Sequence, residues 1–128
     1  DDRTRQWNSG IAACAEGLSS PRERLLAVFD FLLQWFGTDE FRGCAFINAY
    51  GELGAEMPSV AAAVRAQKAD FQRYVAGLVA ELGGPDGLGA QLSILAEGAQ
   101  TTAAIAGSAR AADDARAAAE VLIDQALR

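Results

Sequence analysis

Ser20-Pro21-Arg22-Glu23-Arg24-Leu25-Leu26-Ala27-Val28-Phe29-Asp30-Phe31-Leu32-Leu33-Gln34-Trp35-Phe36-Gly37 is the stretch on which the fold turns. Ser20 is a helix N-cap, Pro21 takes the first turn, where its missing N–H is no loss, and Glu23 stands three residues after the serine as in a capping box. Gly37 supplies the stop at the other end. Between them Leu25, Leu26, Val28, Phe29, Phe31, Leu32, Leu33, Trp35 and Phe36 cover most of the circumference, leaving Glu23, Ala27, Asp30 and Gln34 as one narrow polar strip. A helix this apolar must be packed on several sides, so residues 21–36 are expected to be the central post of an all-helical domain.

Upstream, residues 4–18 read as a weaker helix with Trp7, Ile11, Cys14 and Leu18 at helical spacing, interrupted by Gly10 and ended by Gly17-Leu18-Ser19. Downstream, Asp39 and Glu40 favour a helix N-terminus, and a helix over about 41–56 should follow, stopped by Pro58. Phe46, Tyr50, Leu53 and Met57 fall on one stripe of it, Cys44, Ile47, Asn48 and Gly51 on another. Ser59 should cap the next helix, to Leu82, with Val60, Val64, Phe71, Val75, Leu78 and Leu82 buried and Arg65, Ala69, Gln72 and Ala76 facing out. Gly83-Gly84-Pro85-Asp86-Gly87 is a break; it lacks the preceding strand, the lysine and the spacing of a phosphate loop and reads as a turn. Two last helices, about 88–106 and 109–127, are separated by Gly107-Ser108. No run alternates with the period of a strand.

With 128 residues, 51% hydrophobic and 22% charged, the chain has material for one globular domain. A net charge of −6 repels phosphate backbones, so the domain by itself is not expected to read DNA. Histidine is absent, which removes Ser-His-Asp triads, HExxH zinc sites and the carboxylate–histidine di-iron sets of bundles. No cofactor and no metal are expected. Cys14 and Cys44 are too few for a disulfide scaffold and read as small buried hydrophobes, with redox sensing as the alternative. No stretch is long enough to span a bilayer and no signal-peptide pattern is present, so a cytoplasmic setting is expected.

The helix over 88–106 carries one charge, Glu97, and the last helix has a seam made mostly of alanine. Such surfaces call for helix-on-helix contact, and a second copy of the chain is the simplest supplier. A homodimer is expected, with Leu92, Leu95, Ala96, Ala99, Ala103, Ala111, Ala115, Ala118, Ala119 and Leu122 at its face. The alternative is packing of the last two helices on each other within one chain.

Ser20-Pro21-Arg22-Glu23-Arg24-Leu25-Leu26 with Phe29, then Phe41-Arg42-Gly43-Cys44-Ala45-Phe46-Ile47-Asn48-Ala49-Tyr50, then Glu52 and Pro58, resembles the C-terminal domain of TetR/AcrR-family transcriptional regulators over nearly the whole chain. The resemblance implies an effector-binding and dimerisation domain, with a mostly apolar cavity for a small molecule and the last two helices joining their copies in a four-helix bundle. It also implies a helix-turn-helix head that is missing here, operator DNA being bound only through that head, and residues 1–18 as the remnant of the connecting helix. Apolar groups adjoining a few polar ones are the candidates for the cavity: Phe29, Leu33, Cys44, Ile47, Asn48, Phe71, Tyr74, Gln91, Ile94 and Thr101. Each apolar member is equally the pattern of ordinary core, and Asn48 could bond backbone alone. Two rivals stand beside this reading: a dimeric helical scaffold without a small-molecule ligand, and an enzyme using Glu52 or Asp70 as acid or base.

Overall fold

The computed structural model describes residues 2–38 and 58–128 as five helices joined by short turns: α1 (Asp2–Ala15), α2 (Pro21–Phe36), α3 (Pro58–Leu82), α4 (Asp86–Ala106) and α5 (Arg110–Ala126). The described residues contain no strand. The helix expected over 41–56, with Cys44, Ile47 and Asn48, lies outside the described residues.

α2 is the post. It packs against each of the other four helices, and Leu25, Leu26, Ala27, Val28, Phe29, Phe31, Leu32 and Phe36 are all buried. Its start is made locally, Ser20 Oγ accepting from the Glu23 amide at 3.3 Å, with Pro21 at the first turn. Two positions depart from the expected strip. Ala27 is buried, having no polar atom that needs water, and Leu33 is 39% exposed.

α1 begins and ends earlier than the spacing suggests. Gly17, at φ 81°, turns the chain after Ala15, and the Leu18 carbonyl accepts Arg24 Nε at 2.8 Å, tying the end of α1 to the first turns of α2. Gly10 does not interrupt the helix. A methyl there would stand 2.8 Å from Phe31 Cδ1, so the glycine is what lets α1 lie directly on α2. Trp7 and Ile11 are then buried. Trp7 meets Phe31 edge-on at 5.0 Å between ring centres, Trp35 at 5.8 Å and Phe71 at 6.0 Å, so one ring from α1 joins two from α2 and one from α3. Edge-to-face pairs of this kind contribute about 0.5–1.5 kcal/mol beyond area burial.

α3 and α4 form an antiparallel pair around Gly83, whose φ of 77° closes the turn. The inward side of α3 is Ala61, Val64, Gln67, Phe71, Val75, Leu78 and Val79; the expected Leu82 is half-buried, Ala69 is not fully outward, and the glutamine was unforeseen. α4 starts at Asp86, whose charge favours a helix N-terminus, and ends at the left-handed Gly107, whose amide donates to Ala103 O at 2.8 Å. Lys68 and Glu97 pair at 3.5 Å between α3 and α4, so the one charge of α4 beyond its first residue is matched by the sole lysine of the chain.

α5 uses two sides. Ala112, Ala115, Ala119 and Ile123 are buried where it packs on α4 and α2. Its other edge is charged and answers α2: Arg22 pairs with Asp124 at 3.0 Å and Arg116 with Asp30 at 3.0 Å, while Arg116 also donates to Glu120 at 2.6 Å.

Candidate functional site

α1 and α3 both lean on α2 and make little contact with each other. Their facing residues are small, Ala12, Ala13 and Gly17 on one side and Gly77 on the other, so the helices leave a trough rather than a seam. Its larger hollow, about 880 Å³, is lined by Ser9, Ala12, Ala13, Ala15, Glu16, Gly17, Arg24, Arg73, Tyr74, Gly77, Leu78 and Glu81. A smaller one, about 270 Å³, is lined by Trp7, Asn8, Ile11, Ala12, Asp70, Phe71 and Tyr74. Ala12 and Tyr74 line both, so the two adjoin, and their sizes are in the range of small-molecule sites.

The chemistry is graded along the trough. At the small end three aromatic rings form the wall, with the Asn8 amide and the Asp70 carboxylate beside them. At the wide end the lining is charged. Arg73 pairs with Asp70 one turn away, and Arg24 is held by the Leu18 carbonyl. Between the ends stands Tyr74; partial burial pushes its phenol above its ordinary range, Arg24 works the other way, and Glu81 adds to the rise. Cys14 lies nearby on α1 as a half-buried free thiol, pushed up first by desolvation and then by Asp30. The described residues hold no cluster of side chains suited to a metal ion.

The expected cavity residues do not all meet. Phe71 and Tyr74 line the trough. Phe29 is core of α2, Leu33 lies on that helix's exposed side, and Gln91, Ile94 and Thr101 stand on the outer side of α4. Cys44, Ile47 and Asn48 lie outside the described residues. The charged lining of Glu16, Arg24, Arg73 and Glu81 was not foreseen; the available signal was the set of alanines and glycines on α1 and α3, too small to fill the space between them.

The residues expected at the dimer face divide in two. Leu92, Ala96, Ala99, Ala103, Ala115 and Ala119 are buried within the chain, where α4 packs on α3, α2 and α5, and α5 on α4 and α2. Leu95, Ala111, Ala118 and Leu122 are half-buried, and Leu95, Ala111 and Leu122 pack against the core. The apolar surface left outside is different: Ile94 is 67% exposed, Ile105 83% and Val121 68%. Ile94 and Ile105 share the outward stripe of α4 with Gly98 and Thr101.

Two further polar groups are sealed without partners. Gln67 Oε1 and Ser93 Oγ are buried and make no hydrogen bond, whereas buried Gln100 donates from Nε2 to Ala96 O at 3.3 Å. No helix of the described residues is long and apolar enough to cross a membrane.

No protein-family model and no curated protein matches the chain. Among solved structures, a TetR-family transcriptional regulator from Streptomyces coelicolor matches at a TM-score of 0.86 and 24% identity, covering 98% of this chain and 67% of that one. All five helices, with α2 at the centre and the last two packed as a pair, thus follow the fold of a TetR-family regulator.

Proposed function

We propose that the chain is the effector-sensing, dimerising part of a TetR-family transcriptional regulator, acting by binding rather than by catalysis. The observation that carries this is the shared fold over 98% of the chain, and the quoted motif of residues 20–58 supports it independently. The effector is a small molecule and its site is the trough between α1 and α3. In this reading α1 is the lower part of the helix that leads to a DNA-binding head, and operator DNA is met only through that head.

The trough gives such a protein a lever. α1 is held on α2 by Trp7, Ile11 and the close approach at Gly10, while its contact with α3 is slight and includes the Trp7–Phe71 ring pair. A molecule wedged between α1 and α3 acts only so far as it binds two placements of α1 unequally. A coupling of about 1–3 kcal/mol is typical of such switches. It is enough to favour or oppose a spacing of two heads that matches half-sites about 34 Å apart.

Dimerisation in this reading uses the outer side of the last helix pair, where Ile94, Ile105 and Val121 flank Leu95, Ala118 and Leu122. Light scattering should give twice the chain mass of 13.4 kDa, and Ile94→Asp with Val121→Asp should return the single mass with unchanged helix content. A single mass for the unaltered chain at micromolar concentration refutes the dimer. The scattering of the expected cavity residues over three surfaces favours the scaffold as second reading. Thermal-shift screening separates the two, since a ligand at about 100 times its Kd adds about 2.7 kcal/mol, and a broad panel without a hit decides for the scaffold.

A further inference from the structure

The trough has a charge sense as well as a shape. Three carboxylates, Glu16, Glu81 and Asp70, line it against two guanidiniums, Arg24 and Arg73. Arg73 is paired with Asp70, while Arg24 keeps its charge, its Nε donating to the neutral Leu18 carbonyl. Glu16 and Glu81 have no ion-pair partner among the described residues. One negative charge is left uncompensated, at the end of the trough away from the ring cluster. The other end offers the surfaces of Trp7, Phe71 and Tyr74 and a space of about 270 Å³, enough for a flat ring system.

Resting on the trough as the effector site, we infer that its ligand is an organic monocation with a flat aromatic body, the rings seated against Trp7, Phe71 and Tyr74 and the cationic head towards Glu16 and Glu81. A permanent cation gains from the carboxylates, and from aromatic faces when it lies over them. An anion of the same shape meets those two carboxylates with Arg24 alone to offset them, the guanidinium of Arg73 being engaged by Asp70. The cavity supplies the shape and the unmatched carboxylates supply the sign.

Three probes of one shape test it: 1-naphthylmethyl-trimethylammonium, 1-naphthalenemethanol and 1-naphthylmethanesulfonate. Both tryptophans of the chain belong to the ring cluster, so quenching of their emission reports occupation. The cation should bind more tightly than the alcohol, and the sulfonate most weakly. The double variant Glu16→Gln with Glu81→Gln should weaken the cation about fivefold, as expected for partly exposed ion pairs, and leave the alcohol unchanged. Tyr74→Ala should weaken both. Equal binding of all three probes, with no effect of the glutamines, overturns the charge preference and leaves the trough standing as a site. Absence of quenching by every probe overturns both.

Discussion

Gly10 and Gly77 both sit within helices, and the structure gives their alanine replacements opposite signs. In either case alanine should gain about 0.5–1 kcal/mol, because glycine loses more backbone freedom on folding. At Gly77 nothing lies within 4 Å of the added methyl, so that gain is the whole effect. At Gly10 the methyl would meet Phe31 at 2.8 Å from Cδ1 and 3.2 Å from Cζ. Phe31 cannot swing clear, being buried with Trp7 at 5.0 Å and Trp35 at 5.8 Å. Overpacking of this kind costs about 1–3 kcal/mol. The propensity gain cancels between the two variants, so Gly10→Ala should be less stable than Gly77→Ala by about 1–3 kcal/mol. That is roughly 3–10 °C in Tm for a chain of this size. Urea unfolding followed by tryptophan emission measures it. If the two variants are equally stable, α1 is not seated on Phe31 as described, and the account of the trough wall fails with it.

Other consequences are simpler to check. Ser93→Ala removes a buried hydroxyl that bonds nothing, and should raise stability by up to about 1 kcal/mol in the same urea assay, since an unpaired buried polar group costs about 1–3 kcal/mol. Glu97→Gln leaves Lys68 largely buried without its α4 partner and should lower stability by about 1–2 kcal/mol. Cys14 and Tyr74 both titrate higher in the folded chain than their ordinary values of 9.0 and 10.0, so the stability they contribute is complete below those values and is lost as pH rises through the folded ones. Unfolding midpoints should therefore fall above about pH 9, and Cys14→Ala with Tyr74→Phe should flatten that fall. Asp124 titrates low because of its hydrogen bond from Arg22, so its contribution holds above 3.8 and disappears as acid passes through its folded value; Asp124→Asn should move the acid limb of the stability profile.

Much of the fold was legible because it is written in short-range chemistry. Ser20, Pro21 and Gly37 mark α2 within a residue, and Gly83 and Gly107 stand at turns that need a positive φ. The nearly uniform apolar surface of α2 announced a helix touched on all sides. What spacing could not supply was the direction in which alanine faces. An alanine stripe looks the same whether it meets a neighbour in its own chain or a second molecule, and Leu92, Ala96, Ala99, Ala103, Ala115 and Ala119 are buried within the chain. The large apolar groups that stand outside are isoleucine and valine at positions 94, 105 and 121. The candidate site was half legible: Phe71 and Tyr74 stood out as aromatics on a helix face, but the charged lining depends on which pairs of helices stay apart, and that is a property of the assembled bundle.

The two ion pairs between α2 and α5 have a geometric meaning beyond their strength. Arg22 and Asp30 are eight positions apart on one helix, and Asp124 and Arg116 eight apart on the other, running the opposite way. Alanine surfaces are smooth and would tolerate a slide of one turn with little loss, whereas two charges of opposite sign at matched heights, each facing its complement, admit only one alignment and one polarity. The arginines thus act as index pins on a featureless rail, setting where the last helix comes to rest and so the placement of every side chain it turns outward.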